Sequence, residues 1–102
     1  MNGLATIKHE NNRLIVSGDL DFSSVVSVWN ASLPLLATYS FFDFDFSKVT
    51  STKSAGLALL IEWIKLAQRE NKKITFYHIP QQLMSIASVC SVDGILKSVS
   101  AS

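Results

Sequence analysis

The most regular pattern in the chain is the strict alternation of "FFDFDFS" at 41–47, in which Phe42, Phe44 and Phe46 face one way and Asp43 and Asp45 the other. A period of two predicts a strand with one apolar and one polar face. A parallel strand covered on both sides would be apolar throughout, so helices are expected mainly on one side of this sheet. Upstream, 4–10 and 13–18 are short and rich in β-formers, and "ENN" between them predicts a tight antiparallel hairpin. Gly18 closes the second strand. Asp21 then suits the N-cap of a helix at about 22–33 that carries Val25, Val28, Trp29 and Leu33 on one side. Pro34 is expected to end or kink that helix, with room to resume up to 38.

A second helix is predicted from Ser54 to about Glu70, with Leu57, Leu60, Ile61 and Ile64 at i, i+3, i+4, i+7 spacing. Strand 73–79 follows, and Pro80 suits the first turn of a last helix whose inner face is Leu83, Ile86, Ala87 and Cys90, with Gly94 as its stop. The tail "ILKSVS" carries no assignable pattern. The order β-β-α-β-α-β-α predicts a single domain over 1–102. It would be an α/β fold with a mixed sheet of about four strands, parallel where helices link them.

Composition narrows the function. Only 17% of the 102 residues are charged and 48% are hydrophobic. Soluble domains usually carry about a quarter charged residues. Either the core is unusually full or a protein partner covers part of the surface. The net charge is +1 with no basic run, which speaks against nucleic acid and anionic membranes. No stretch approaches the roughly 20 apolar residues of a spanning helix. The N-terminus lacks the apolar segment of a signal peptide, and the lone Cys90 suits a reducing compartment, so a cytoplasmic location is expected.

His9 and His78 have no Cys or acidic residue at ligand spacing, and Cys90 reads as a small buried residue. The glycines, at 3, 18, 56 and 94, form no phosphate loop, and there is no G-x-S-x-G elbow. No catalytic residue, metal or cofactor is expected.

The candidate site is "TKSAG", 52–56, at the mouth of the second helix. Helix-start N–H groups and the helix dipole favour an acceptor or an anion there, and Ala55 and Gly56 would keep the place open. Ser54 is either the helix N-cap or an exposed hydroxyl for a partner. Lys53 is either a solvated loop lysine or a contact for an acidic partner group. Leu59, Trp63 and Leu66 lie on a flank of the helix, where they either pack on neighbouring helices or dock a partner with Trp63 as anchor. Trp29 carries the same two readings.

"VSGDLD", "FDFSKV", "KSAGLALL" and "LAQRENKKITFYHIP", in that order and over about 4–97, resemble the STAS domain family, the fold of anti-sigma-factor antagonists and sulfate-transporter tails. "SGDLD" with "VSVW", and "GLALLIEWIKLAQ", are most similar to the small STAS subunit of Mla-type phospholipid ABC transporters. That branch implies a non-catalytic subunit held at the inner membrane through its complex. It would bind the ATPase of a transporter that maintains outer-membrane lipid asymmetry, with contacts from Thr52, Lys53, Ser54, Ala55, Gly56, Leu59 and Trp63. The antagonist branch implies instead that Ser54 is a phosphoacceptor for an anti-sigma factor kinase. Aligned on "SAGL", however, Lys53 stands where antagonists carry an aspartate, a departure that argues against kinase regulation.

Overall fold

The computed structural model describes residues 5–101; Leu4, placed by the pattern at the start of the first strand, lies outside the described residues. Five strands form one sheet in the order β1-β2-β3-β4-β5: β1 Thr6–Glu10, β2 Arg13–Leu20, β3 Phe41–Thr52, β4 Lys73–Tyr77 and β5 Ser100–Ala101. The helices are α1 Val25–Ala37, α2 Ser54–Arg69, α3 Gln81–Val89 and α4 Asp93–Ser98. β1 and β2 are antiparallel and every later pairing is parallel. The hairpin closes on Asn11 and Asn12, both with positive φ (52° and 64°), the two-residue turn whose twist matches the strands.

Each crossover from β2 onward moves one strand further in the same direction. With a constant right-handed connection, all helices then fall on the same side of the sheet. The apolar face of β3 meets them. Phe42, Phe44 and Phe46 are buried together with Phe76 of β4 and Leu14 and Val16 of β2.

The sheet has one strand more than the pattern predicts. Between 95 and 101 there are no sequence signals of a strand, but Leu96 is buried and the Phe76 N–H donates to the Val99 carbonyl (2.8 Å), which steers the tail onto the edge of β4. Gly94, expected as a stop, instead lies inside α4. Cys90, expected inside, is exposed, because α3 ends there. Ser91 takes positive φ and the Val92 N–H donates back to the Ala87 carbonyl (2.9 Å). The same closure ends α2: Asn71 has positive φ, and the Lys72 N–H donates to the Ala67 carbonyl (2.8 Å).

Helix α1 begins later and runs further than its pattern suggests. Asp21 caps a preceding turn, its Oδ1 accepting the N–H groups of Ser23 (3.0 Å) and Ser24 (2.9 Å), so that the helix starts at Val25. Pro34 neither ends it nor stops its continuation to Ala37. Pro34 and Asn30 both face solvent, where water can satisfy the carbonyl that proline leaves without a donor. Buried Val28, Ser32 and Leu36 hold both halves to the core, and Leu33, expected inward, lies on the outer side.

On the open face of the sheet, Asp45 is nonetheless buried. Arg13 Nη1 donates to its carboxylate (3.1 Å) while the guanidinium lies 3.6 Å above the ring of Tyr77. Burial pushes the Asp45 carboxyl up, but hydrogen bonds from Ser47 and Arg13, with the charge of His78, outweigh it and hold the group below its ordinary range. A depressed folded-state pKa means stability that is present above the unfolded value, about 3.9, and is lost as pH falls through the folded one. Asp45→Asn is therefore expected to cost about 1–2 kcal/mol at neutral pH, with the difference from wild type shrinking below about pH 4. Urea titrations across pH measure this; a pH-independent difference would contradict it.

Candidate functional site: the start of α2 and the groove beside it

The long strand β3 delivers the 52–56 segment to the edge of the helical layer. Three contacts hold the segment in place. The Lys53 N–H donates to the Leu20 carbonyl at the end of β2 (3.1 Å), and the Thr52 N–H donates to Gln82 Oε1 of α3 (3.2 Å). On the neighbouring strand pair, the Thr50 hydroxyl donates to the Asp19 carboxylate. Lys53, with an extended backbone, occupies the N-cap position and contributes no side-chain cap.

Ser54 is accordingly the first helical residue. Its side chain is exposed and makes no hydrogen bond among the described residues. Ser54 is therefore not the helix N-cap, and its hydroxyl faces solvent. Beside it, the Gly56 N–H closes onto the Lys53 carbonyl (2.8 Å), and the positive end of the helix dipole adds to the charge of Lys53.

The seven candidate residues divide into two groups. Lys53 and Ser54 are exposed, Ala55 is half-buried, and Leu59, at 4% exposure, lies on the floor of a groove described below. Thr52, Gly56 and Trp63 are not on the surface. Thr52 is 1% exposed beneath the loop. Gly56 does not keep the mouth open. It points inward, where a Cβ would collide with Thr52 Oγ1 and come within 3.3 Å of Leu20 Cβ.

Trp63, expected as a surface anchor, is instead 0% exposed. It stacks on Phe44 with ring centroids 4.1 Å apart. Its Nε1–H donates to Ser32 Oγ (3.0 Å), and that hydroxyl donates to the Trp29 carbonyl (2.7 Å). Its polar edge thus finds a partner inside the fold, and nothing is left for a visitor. Leu66 is buried as well, so this flank of α2 serves internal packing.

What the surface does offer is an apolar groove of about 380 Å³ between the N-terminal halves of α1 and α2. One wall is Phe22, Val25, Val26 and Trp29. The other is Ala55, Ala58, Leu59 and Glu62. Phe22 is 88% exposed and Val26 61%. Phe22 is placed by the Asp21 turn, and the Ser23 hydroxyl, then the Ser24 N–H, hold the Asp21 carboxyl below its usual range. The turn is thus charged, and well closed, at neutral pH.

Pattern reading missed Phe22, Val26, Ala58 and Glu62. Val26 was legible in principle, being an apolar residue on the face of α1 opposite Val28. Phe22 was hidden by the misplaced helix start. Large exposed apolar side chains gathered in one concave place, with Glu62 in its lining and Lys53 two residues before Ala55, are the composition of a protein-docking surface.

Comparison with known proteins bears on the same region. A family model described as "Mlab, STAS domain" matches residues 5–97. Among solved structures, the chain is similar to one titled "Structure of the Anti-Sigma Factor Antagonist SpoIIAA in its Unphosphorylated Form". The TM-score is 0.68 over 95% of this chain and 85% of that one, at 9% identity, a likeness of fold alone. Among curated proteins none matches. No helix among the described residues is long and apolar enough to cross a membrane. The family match spans nearly the whole domain, including the Ser54 helix start and both walls of the groove, and the chain belongs to the Mlab-type STAS domain family.

Proposed function

We propose that this chain is a non-catalytic subunit that binds and regulates the ATPase of an ABC phospholipid transporter, one that maintains outer-membrane lipid asymmetry. The observation that carries the reading is the pairing of an exposed Ser54 hydroxyl with the apolar α1–α2 groove, in a chain of the Mlab branch. In mechanism, Lys53 and the α2 N-terminus receive an acidic or carbonyl group of the ATPase. Phe22, Val26 and Leu59 bury its apolar side chains, and the bound domain stabilises the ATPase fold or dimer. The domain itself performs no chemistry and reaches the inner membrane only through this complex.

A second reading, an anti-sigma factor antagonist switched by a kinase at Ser54, is favoured by one observation: the hydroxyl is open to a kinase. Against it stands Lys53, a cation where the antagonists have an aspartate.

Affinity capture of the tagged protein from its own cells, with mass spectrometry of what is retained, separates the two. The expected result is an ABC ATPase. Ser54→Glu, which sets a negative charge and a longer side chain at the rim, is expected to reduce the capture at least tenfold. Recovery of an anti-sigma kinase, with phosphate on Ser54 in the intact mass, would replace the first reading by the second. An ATPase retained equally by Ser54→Glu would remove Ser54 from the interface.

A further inference from the structure

We infer that the α1–α2 groove is closed, when no other protein occupies it, by a second copy of this chain related by a two-fold axis through Ala58. The inference concerns the free subunit and stands whichever partner the domain serves.

The exposed line along α2 runs Ser54, Ala58, Glu62, Lys65. An isologous pairing sets two such helices antiparallel, so a residue four positions before the axis meets the one four positions after it. With Ala58 on the axis, Ser54 of one copy faces Glu62 of the other, and does so twice. Glu62 then lies against the start of the opposing α2, beside Lys53 and in the positive field of that helix terminus, which is where a carboxylate is most favoured. In the free chain Glu62 has only an exposed contact with Lys65 at 3.5 Å, weak enough to be given up.

Side-chain size at the axis agrees with the charge pattern. Ala58 is the smallest residue of the exposed stripe, with half-buried Ala55 beside it, and small residues let two helices approach closely. Phe22 and Val26 stand out from the opposite wall, so each copy contributes an apolar ridge and offers an apolar groove within one patch, which is what a self-complementary surface requires. In such a dimer the face proposed above for the partner is hidden, so dimer and partner complex compete by mass action.

Sedimentation velocity on the isolated full-length chain, from low-micromolar to near-millimolar concentration, tests this. The expected result is a reversible monomer–dimer equilibrium. Ala58→Arg, which places a long charged side chain on the axis, is expected to leave monomer at every concentration. Phe22→Ser, off the helix, is expected to weaken the dimer independently. Glu62→Lys alone should raise the dissociation constant about tenfold, since two symmetric contacts are lost, and Lys53→Glu added to it should recover part of that loss, the helix terminus still opposing a cation at 62. All four positions are exposed or half-exposed, and unchanged far-ultraviolet circular dichroism checks that each variant is folded. A wild-type chain that stays monomeric, a dimer that survives Ala58→Arg and Phe22→Ser, or a charge exchange that recovers none of the lost affinity would each overturn the inference. A wild-type chain that stays monomeric would leave the ATPase reading standing, since that reading is tested by capture with the wild-type chain and Ser54→Glu.

Discussion

Trp63→Ala is expected to cost about 3–5 kcal/mol, the range for removing a large aromatic from a packed core. A domain of this size has on the order of 5–15 kcal/mol in total, so the variant is expected to be marginal at 37 °C. Three contributions are lost together. The indole covers Phe44 and Phe46, and its stack on Phe44, 4.1 Å between centroids, is the tightest aromatic contact in the fold. Its Nε1–H is what ties α2 to Ser32 of α1. Its removal also leaves a void between those helices, whose N-terminal halves form the groove.

Thermal unfolding measures this, and at about 4–8 °C per kcal/mol the midpoint should fall by roughly 20 °C. Trp63→Phe should lose less, about 1–2 kcal/mol, most of it from the Ser32 contact. A Trp63→Ala variant that is as stable as wild type but unable to bind a partner would mean that the indole faces outward, against the packing described here.

Gly56→Val is expected to cost about 3 kcal/mol. The third residue of α2 passes so close to the end of β3 that any Cβ collides with Thr52 Oγ1, while Leu20 Cβ and Leu83 Cδ2 wait at 3.3 and 3.5 Å. All three neighbours are buried, which leaves them little room to retreat. Thr52 is held through its N–H by Gln82, and Leu20 lies at the point where its carbonyl receives the Lys53 N–H. The helix start must therefore lift, carrying Lys53 and Ser54 with it. Gly56→Ala adds the same collision but recovers about 1 kcal/mol of helix propensity, so it should fall between wild type and valine. Urea midpoints of the three proteins give the order. Valine no worse than alanine would show that the space is larger than the backbone geometry implies.

Much of the fold was legible because single elements carried their own periodicity. The alternation of 41–47 correctly placed the helices on one side, and the hairpin and α2 follow their patterns closely. What was hidden depends on neighbours that no local pattern names. β3 continues through the mostly polar segment 48–52 because Ser17 to Leu20 of β2 pair with it. Trp63 is internal because Ser32, itself a residue with no apolar signal, sits opposite its ring nitrogen. α4 and β5 exist because Leu96 finds a place in the core.

The candidate site was legible as a location, the start of α2, from its small and cationic residues. Its facing wall was not legible as part of the same site, since Phe22 and Val26 come from α1 and its preceding turn, some thirty residues earlier in the chain.

The most direct test of the central claim, that the α2 start and its groove receive another polypeptide, replaces Ser54 with a photo-crosslinking amino acid and, as control, Ser17 on the open face of the sheet. Irradiation in the protein's own cells is expected to join an ABC ATPase subunit to position 54 and nothing to position 17. Crosslinks from position 17 with none from 54 would contradict the account.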